Sequence, residues 1–302
     1  MEPIEFYNRY TGQIETEQVF GEAWLAWAYG TPLGKLTVEL AAKRALFSRW
    51  YGWKMNRKAS AAKVFPFIKE YGLDAADFLR PPDYYECFND FFTRQLKDEA
   101  RPIDDQPNSV VFPADGRHLG WQDSSQIDQV FVKGQSFDID ALLDDQKLGA
   151  QFRGGALVLS RLCPVDYHRF HFPAAGVPDH PRQTPRKIPG PLYSVNPVAL
   201  RQRLDIFWTN KREVTLLHSD DFGDIALIEV GATCVGTIRQ THVSGQWTKK
   251  GGEKGYFAFG GSSTLTLFEP GTVKLDADLL EHTAAGRELY ARMGDHMGVG
   301  VG

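Results

Sequence analysis

Apolar residues recur at helical spacing over the first third of the chain. Thr31 and Pro32 are typical of a helix start, and the apolar positions that follow up to Gly52 are Leu36, Leu40, Leu46, Phe47 and Trp50. A second helix is predicted over residues 61–71, disturbed at Pro66 and ended by Gly72. A third begins at Phe88, because Phe88, Phe91, Phe92 and Leu96 form an aromatic stripe suited to a core. We therefore expect residues 1–97 to be helical.

After residue 97 the pattern changes to short apolar runs separated by Gly, Pro, Asn and Asp. These runs occupy residues 109–112, 155–159, 213–217, 225–230, 234–238 and 255–268. Such runs predict a mostly antiparallel β domain. The expected fold class is α+β, with N-terminal helices (1–97) packed beside a β-sheet domain (98–302). Residues 172–196 carry six prolines, and we expect this long irregular segment to be functional or mobile.

The last apolar run contains an interruption. In GYFAFGGSSTLTLF (255–268), Gly260 and Gly261 precede Ser262 and Ser263 between two strand-like halves. Glycine within a strand usually marks a bulge or a close backbone approach, which is the simpler interpretation. Alternatively, the Ser262 hydroxyl attacks the Gly261 carbonyl, and the resulting ester eliminates to a dehydroalanine. Hydrolysis of that species releases ammonia and leaves a pyruvoyl group at a new N-terminus, so the break falls between Gly261 and Ser262.

Cysteine usage and the absence of long apolar runs indicate the cellular compartment. Among 302 residues the cysteines are Cys87, Cys163 and Cys234, odd in number and far apart. This pattern favours free thiols in a reducing compartment over a disulfide framework or a zinc site. No N-terminal segment resembles a signal peptide, and no apolar run approaches the roughly 18 residues of a membrane span. We expect a cytoplasmic protein that does not span a bilayer.

Charge is unevenly distributed along a chain whose net charge is −4. Residues 35–63 contain eight bases and one acid, Glu39. Within this segment lies the aromatic cluster of Trp50, Tyr51 and Trp53, with Trp24 and Trp27 a little upstream. Basic charge mixed with Trp and Tyr suits the headgroup layer of an anionic membrane. The alternative is a solvated helix whose aromatic rings lie in the core.

Candidate chemistry is concentrated in two further motifs. Asp115 lies in PADG (113–116) directly after a predicted strand, where an Asx turn is the alternative interpretation. His168 and His171 lie in DYHRFH (166–171). No third ligand stands at a zinc-like spacing, so acid–base chemistry is favoured over a metal site. Together Asp115, His171 and Ser262 supply a nucleophile, a base and a carboxylate that orients the base.

The order of these motifs resembles the phosphatidylserine decarboxylase family of the bacterial and mitochondrial type, whose members depend on a pyruvoyl group. The resemblance begins near Phe88. Its motifs are FFTRQL (91–96), RPI (101–103), PADG (113–116), VKG (132–134), DYHRFH (166–171), YSVNP (193–197), VGA (230–232) with Gly236, KGGE (250–253), GYF (255–257) and GSST (261–264). Several motifs in the family's order are more specific than any one alone.

The resemblance implies roles for these residues. Ser262 would be the self-cleavage nucleophile that becomes the pyruvoyl cofactor, His171 the general base, Asp115 the residue that orients it, and His168 a residue for substrate handling or proton transfer. The implied activity converts phosphatidylserine to phosphatidylethanolamine and CO2 through a Schiff base. Two alternatives remain: a pyruvoyl-dependent decarboxylase of a soluble amino acid, and an unprocessed lipid-binding module.

The resemblance also implies partners and location. We expect an anionic phospholipid membrane and phosphatidylserine as partners, with residues 1–97 as the membrane-docking region. The two cleavage chains would stay together as a heterodimer, with a homodimer of that unit as a further option, and no nucleic acid is expected. The implied location is peripheral, on the cytoplasmic face of the cell membrane.

Overall fold

The computed structural model describes residues 4–17, 31, 50, 52–129, 137–179, 186–195, 197–200, 203–232, 237–258 and 262–301. Most of the helix predicted over 31–52 lies outside these residues, as do Trp24, Trp27 and Tyr51. Gly261, on the far side of the predicted cleavage site, also lies outside them.

The described residues form sixteen strands. They are β1 Glu5–Asn8, β2 Gln13–Thr16, β3 Ser109–Val111, β4 Gly116–Trp121, β5 Leu157–Leu162, β6 Arg169–His171, β7 Val177–Pro178, β8 Arg186–Ile188, β9 Arg212–Ser219, β10 Gly223–Val230, β11 Ile238–Gln240, β12 Glu253–Phe257, β13 Ser262–Phe268, β14 Val273–Leu275, β15 Glu288–Ala291 and β16 His296–Gly300. The main sheet has the order β2-β1-β15-β4-β5-β13-β10-β9-β7, and β8 also pairs with β9. Two three-stranded sheets have the orders β11-β12-β6 and β14-β16-β3.

Seven α-helices accompany these strands in the described part of the chain. They are α1 Val64–Tyr71, α2 Phe88–Phe92, α3 Ile139–Leu143, α4 Gln146–Phe152, α5 Pro197–Leu200, α6 Ile206–Thr209 and α7 Ala277–Ala284. The α+β fold class predicted from the sequence is confirmed. Among the described residues, no helix has both the length and the apolar character needed to cross a bilayer.

The predicted N-terminal helices are partly confirmed. Helix α1 ends where Gly72 adopts a left-handed conformation with φ of 62°, as its glycine predicts. Helix α2 buries the predicted aromatic stripe, with Phe91 and Phe92 fully inaccessible, but it ends at Phe92. The predicted fourth member, Leu96, instead forms a β-bridge with Phe78. A long-range contact therefore ends the helix earlier than the local spacing suggests.

The helical prediction is wrong at the N-terminus. Strands β1 and β2 form an antiparallel hairpin, and β1 pairs in parallel with β15 near the other end of the chain. Arg9 anchors the hairpin through ion pairs with Asp276 at 3.1 Å and Asp278 at 2.7 Å. The hairpin thus extends the main sheet, and its stability depends on residues that lie more than 250 positions away.

Strand β13 lies near the middle of the main sheet, between β5 and β10. Its side chains alternate between two hydrophobic cores: Leu265 and Leu267 face one core, and Phe268 faces the other. Every residue of β13 is buried. The predicted nucleophile Ser262 therefore begins one of the most enclosed strands of the protein.

Candidate active site

Ser262 occupies the first position of β13. It pairs with Leu162 at the end of β5 and is fully buried. Its Oγ has no hydrogen-bond partner among the described residues. A buried hydroxyl without a partner is costly. Ser263, Thr264 and Thr266 of the same strand also lack a partner in the described part of the chain, so Ser262 differs from them by its position at the strand end.

His168 is held close to this strand end. Its Nε2 lies 2.9 Å from the carbonyl oxygen of Cys163, the residue that follows Leu162. The imidazole stacks on Phe92 with ring centroids 4.0 Å apart. Burial, assisted by the charge of Arg94, lowers the pKa of His168 to about 3. The ring is therefore neutral at pH 7, with Nε2–H donating and a buried Nδ1 that has no partner among the described residues.

His171 ends β6, where it pairs with Glu253 of β12. Its backbone N–H donates to the carbonyl of Pro113 at 2.7 Å, which joins the DYHRFH and PADG segments. Burial lowers the pKa of His171 to about 4, although Glu253 and Asp115 favour the charged form. A neutral imidazole at pH 7 can accept a proton, as a base must.

Asp115 is buried, and its carboxylate is bound by partners that the sequence did not assign to it. Arg101 donates to it from Nε at 2.9 Å and from Nη2 at 2.6 Å, and the Met293 N–H donates to Oδ1 at 2.9 Å. Among these described residues, no hydrogen bond joins Asp115 to His171 or His171 to Ser262. The structure thus brings the PADG and DYHRFH segments together without closing the predicted triad through direct hydrogen bonds. The roles of its members stay predictions.

A second buried network fixes the loop that carries His168. Asp166 accepts from Arg117 Nη1 at 2.7 Å and from the Cys163 N–H at 2.6 Å. Beside it, Arg161 forms ion pairs with Glu17 and Glu288, both at 2.5 Å. Burial opposes ionisation of Glu17, but Arg161 outweighs it and lowers the pKa of Glu17 to about 2. Sequence analysis missed these residues because charged side chains carry no signal of burial until partners far along the chain are known.

An open cleft leads to His171. It has a volume of about 580 Å³ and is lined by residues from 95–103 and 249–253, with Leu79, Tyr167 and Met293. The lining carries both signs of charge, including Lys97, Lys249, Asp98 and Glu253. His168 and Ser262 are buried and do not line it. The cleft can therefore admit a polar group to His171, while the other two residues lie deeper.

Comparison with known proteins identifies a family match over most of the chain. The family model described as phosphatidylserine decarboxylase matches residues 88–298. Three similar relatives bear the name phosphatidylserine decarboxylase proenzyme. One, from Clostridium kluyveri, is 42% identical over 98% of this chain and 99% of its own length. Another, from Clostridium perfringens, is 43% identical over 98% of this chain and 99% of its own length. The third, from Desulfitobacterium hafniense, is 40% identical over 98% of each chain.

Proposed function

The chain belongs to the phosphatidylserine decarboxylase family, and we propose that it is a self-processing enzyme that converts phosphatidylserine to phosphatidylethanolamine and CO2. The observation that carries the proposal is the placement of Ser262. Its buried hydroxyl has no partner among the described residues, and it lies at the start of a central strand. Ser262 pairs with Leu162, and the carbonyl oxygen of the next residue, Cys163, contacts His168.

Self-cleavage uses atoms of this chain and one water. His171 takes the proton of the Ser262 hydroxyl, and Oγ forms a bond to the Gly261 carbonyl carbon as the peptide C–N bond breaks and the nitrogen gains a proton. Loss of the α-proton of residue 262 then expels the Gly261 carboxylate and leaves a dehydroalanine. Addition of water to its imine form releases ammonia and leaves a pyruvoyl group. The neutral state of His171 supports its role as the base.

The surroundings of Ser262 fit a pyruvoyl group. Such a group supplies a ketone that condenses with the substrate amine and accepts the electrons released as CO2 leaves. His168 is a neutral ring whose buried Nδ1 has no partner among the described residues, so it can hold or move a proton near the reacting carbon. His171 lines the open cleft and can exchange protons there. Lys97 and Lys249 line the cleft and can supply cations to a phosphodiester, beside the acidic Asp98, Glu99 and Glu253.

Exposed aromatic residues support membrane docking by the N-terminal region. Trp50, Trp53 and Phe65 are 53%, 55% and 58% exposed, although such rings are usually buried. The guanidinium of Arg57 lies 4.1 Å from the Trp53 ring centroid, so base and ring form one surface. Leu79, at the edge of the cleft, is 54% exposed. We infer a peripheral protein whose cleft receives a phospholipid headgroup from an anionic membrane on the cytoplasmic face.

Intact-mass analysis of the purified protein tests this function. We expect chains 1–261 and 262–302, held together as a heterodimer, with a pyruvoyl-blocked N-terminus on the smaller one. Ser262→Ala should remain a single chain, whereas Ser263→Ala, whose side chain lies on the opposite face of β13, should still be cleaved. CO2 release should be faster from liposomal phosphatidylserine than from free serine. A single full-length chain under processing conditions would refute self-processing, and a preference for free serine would reassign the substrate.

A further inference from the structure

Lys254 is a buried cation placed beside His171 by an irregularity in strand pairing. On β12, Glu253 pairs with His171 and Gly255 pairs with Phe170, so Lys254 is an extra residue without a partner on β6. Bulges of this kind redirect a side chain and occur often beside active sites. The residue is only 1% exposed, so its ammonium group lies inside the protein.

The ammonium group of Lys254 belongs to a buried polar cluster. Its Nζ lies 2.8 Å from each carboxylate oxygen of Glu229 on β10 and 3.0 Å from Gln240 Oε1. The amide of Gln240 donates to Glu229 at 2.8 Å and to Glu213 at 3.1 Å, in both cases at Oε2. Glu229 Oε1 thus accepts from Lys254 and retains a lone pair for another donor.

A small cavity lies where this cluster meets His171. Its volume is about 10 Å³, and its walls include Glu229, Lys254, His171, Thr264 and Thr266. Both threonine hydroxyls and His171 Nδ1 are buried and have no hydrogen-bond partner among the described residues. A space of this size with several polar groups on its walls suits one water molecule.

The cavity adjoins the cleavage site through β13 and His171. Ser262 and Thr264 lie on the same face of β13, about 7 Å apart along the strand. His171 lines both this cavity and the large cleft. A molecule bound in the cavity would therefore lie against the base.

We propose that this cavity binds one water molecule, which accepts a hydrogen bond from His171 Nδ1–H and donates to Glu229 Oε1 and the Thr266 hydroxyl. This arrangement fixes the tautomer in which Nε2 carries the lone pair, as a base acting on Ser262 requires. Glu229 is then a positioning residue, and Lys254 holds its carboxylate in place. The water is the hydrogen-bond partner of His171 Nδ1, while Asp115 acts on the ring through its charge. The inference deepens the proposed self-cleavage and rests on it.

The first test compares two matched carboxylates during self-cleavage of refolded full-length precursor. Glu229→Gln should slow cleavage by about 10-fold, the scale expected when an outer-shell hydrogen-bond partner is lost. Glu213→Gln removes a charge from the same cluster, but Glu213 does not line the cavity. This variant should be cleaved at a rate within about 2-fold of the parent rate, which is the scatter usual between independent sites. Equal slowing of the two variants would overturn the proposal.

The second test asks whether the threonine hydroxyls act through the water. Thr266→Val should lower the melting temperature and slow cleavage, because a bound water loses a partner. Thr215→Val is the control, since Thr215 on β9 is equally buried and its hydroxyl also lacks a partner among the described residues, but it lies outside the cavity. The double variant Thr266→Val, Glu229→Gln should be no slower than Glu229→Gln, whereas multiplied effects would indicate independent structural damage.

A crystal structure of Ser262→Ala provides the direct observation. Density for one water between His171 Nδ1 and Glu229 is expected, and a cavity without density would refute the site. If the parent chain never cleaves, the proposed function fails, yet this structure still decides whether the water site exists.

Discussion

The Arg101 guanidinium binds the buried carboxylate of Asp115, with Nη2 2.6 Å from Oδ2. Burial opposes the charge on Arg101, but Asp115 outweighs it and raises the pKa of Arg101 above its usual value. Asp115 is 1% exposed, so loss of Arg101 would leave an uncompensated charge in the interior. The pair fixes the PADG turn beside the backbone of His171.

Arg101→Ala is therefore expected to cost about 3–5 kcal/mol of unfolding free energy, the usual effect of breaking a buried ion pair. It should also slow self-cleavage. Arg80 is the matched control, since its pair with Asp90 is half exposed and should contribute less than about 1 kcal/mol. Urea denaturation in the Ser262→Ala background measures both. Similar losses of unfolding free energy on replacement of Arg101 and of Arg80 would show that burial does not make the Asp115 pair more stabilising.

The two histidines should separate processing from turnover. His171→Ala and Asp115→Ala should both impair cleavage, because Ser262 needs a base and the base needs orientation. His168→Ala should be cleaved more nearly normally yet lose decarboxylation of phosphatidylserine. Electrophoresis and CO2 release report the two steps on the same samples. If His168→Ala blocked cleavage while His171→Ala matured, the two roles would be exchanged.

The pH dependence of self-cleavage should reflect the lowered pKa of His171, about 4. A group with a lowered pKa stays neutral until the pH approaches that value, so the base remains active from pH 7 to about pH 5. Cleavage in this window should vary little, whereas a histidine with the usual pKa of about 6.5 would be mostly protonated at pH 5. The unfolded chain binds protons near pH 6.5 and the folded one does not, so acid also lowers stability. Circular dichroism must therefore confirm folding at each pH, and a half-loss of rate near pH 6.5 would contradict the prediction.

Gly116 allows β4 to lie close to β5. A Cβ at this position would lie 2.6 Å from the backbone oxygen of Arg161, so Gly116→Ala must displace one strand. We expect a loss of about 1–3 kcal/mol, as for other overpacked sites, and slower cleavage. Gly52→Ala is the control, because residues 52–55 are helical, where alanine is favoured. Apart from its chain neighbours and its own helix backbone, no atom of the described residues lies within 4 Å of the added methyl group. Thermal denaturation that ranks the two variants equally would contradict the role of close strand approach.

Binding to anionic vesicles should decrease with salt without vanishing. Each base near the surface contributes about 1 kcal/mol, and screening removes much of it as the Debye length falls to about 3 Å at 1 M. Replacing Arg49, Lys54, Arg57 and Lys58 with Gln should lower co-sedimentation and leave turnover of short-chain phosphatidylserine nearly unchanged. The control replaces the exposed Lys147, Lys187 and Lys274. Equal binding to neutral and anionic vesicles, insensitive to salt, would mean that the basic segment is only a solvated surface.

The sequence by itself determined the features that depend on local spacing. Helix α1 with its glycine end, the buried stripe of Phe88, Phe91 and Phe92, and the strands β3, β5, β9, β10, β12 and β13 follow from periodicity and from turn residues. Motif order also identified the family, which the comparison confirmed. The chemistry assigned to Ser262, His168, His171 and Asp115 follows from residue type, because only a few side chains can act as nucleophile or base.

Tertiary structure alone decided the features that join distant residues. The parallel pairing of β1 with β15, the early end of α2 and the partners of Asp115 could not be predicted, because each depends on a surface that another part of the chain supplies. The redirection of Lys254 toward Glu229 has the same origin, since a bulge exists only relative to the strand opposite it. Charge burial is likewise a property of the assembled fold: the same arginine is a solvated surface residue or the anchor of a carboxylate according to what packs around it.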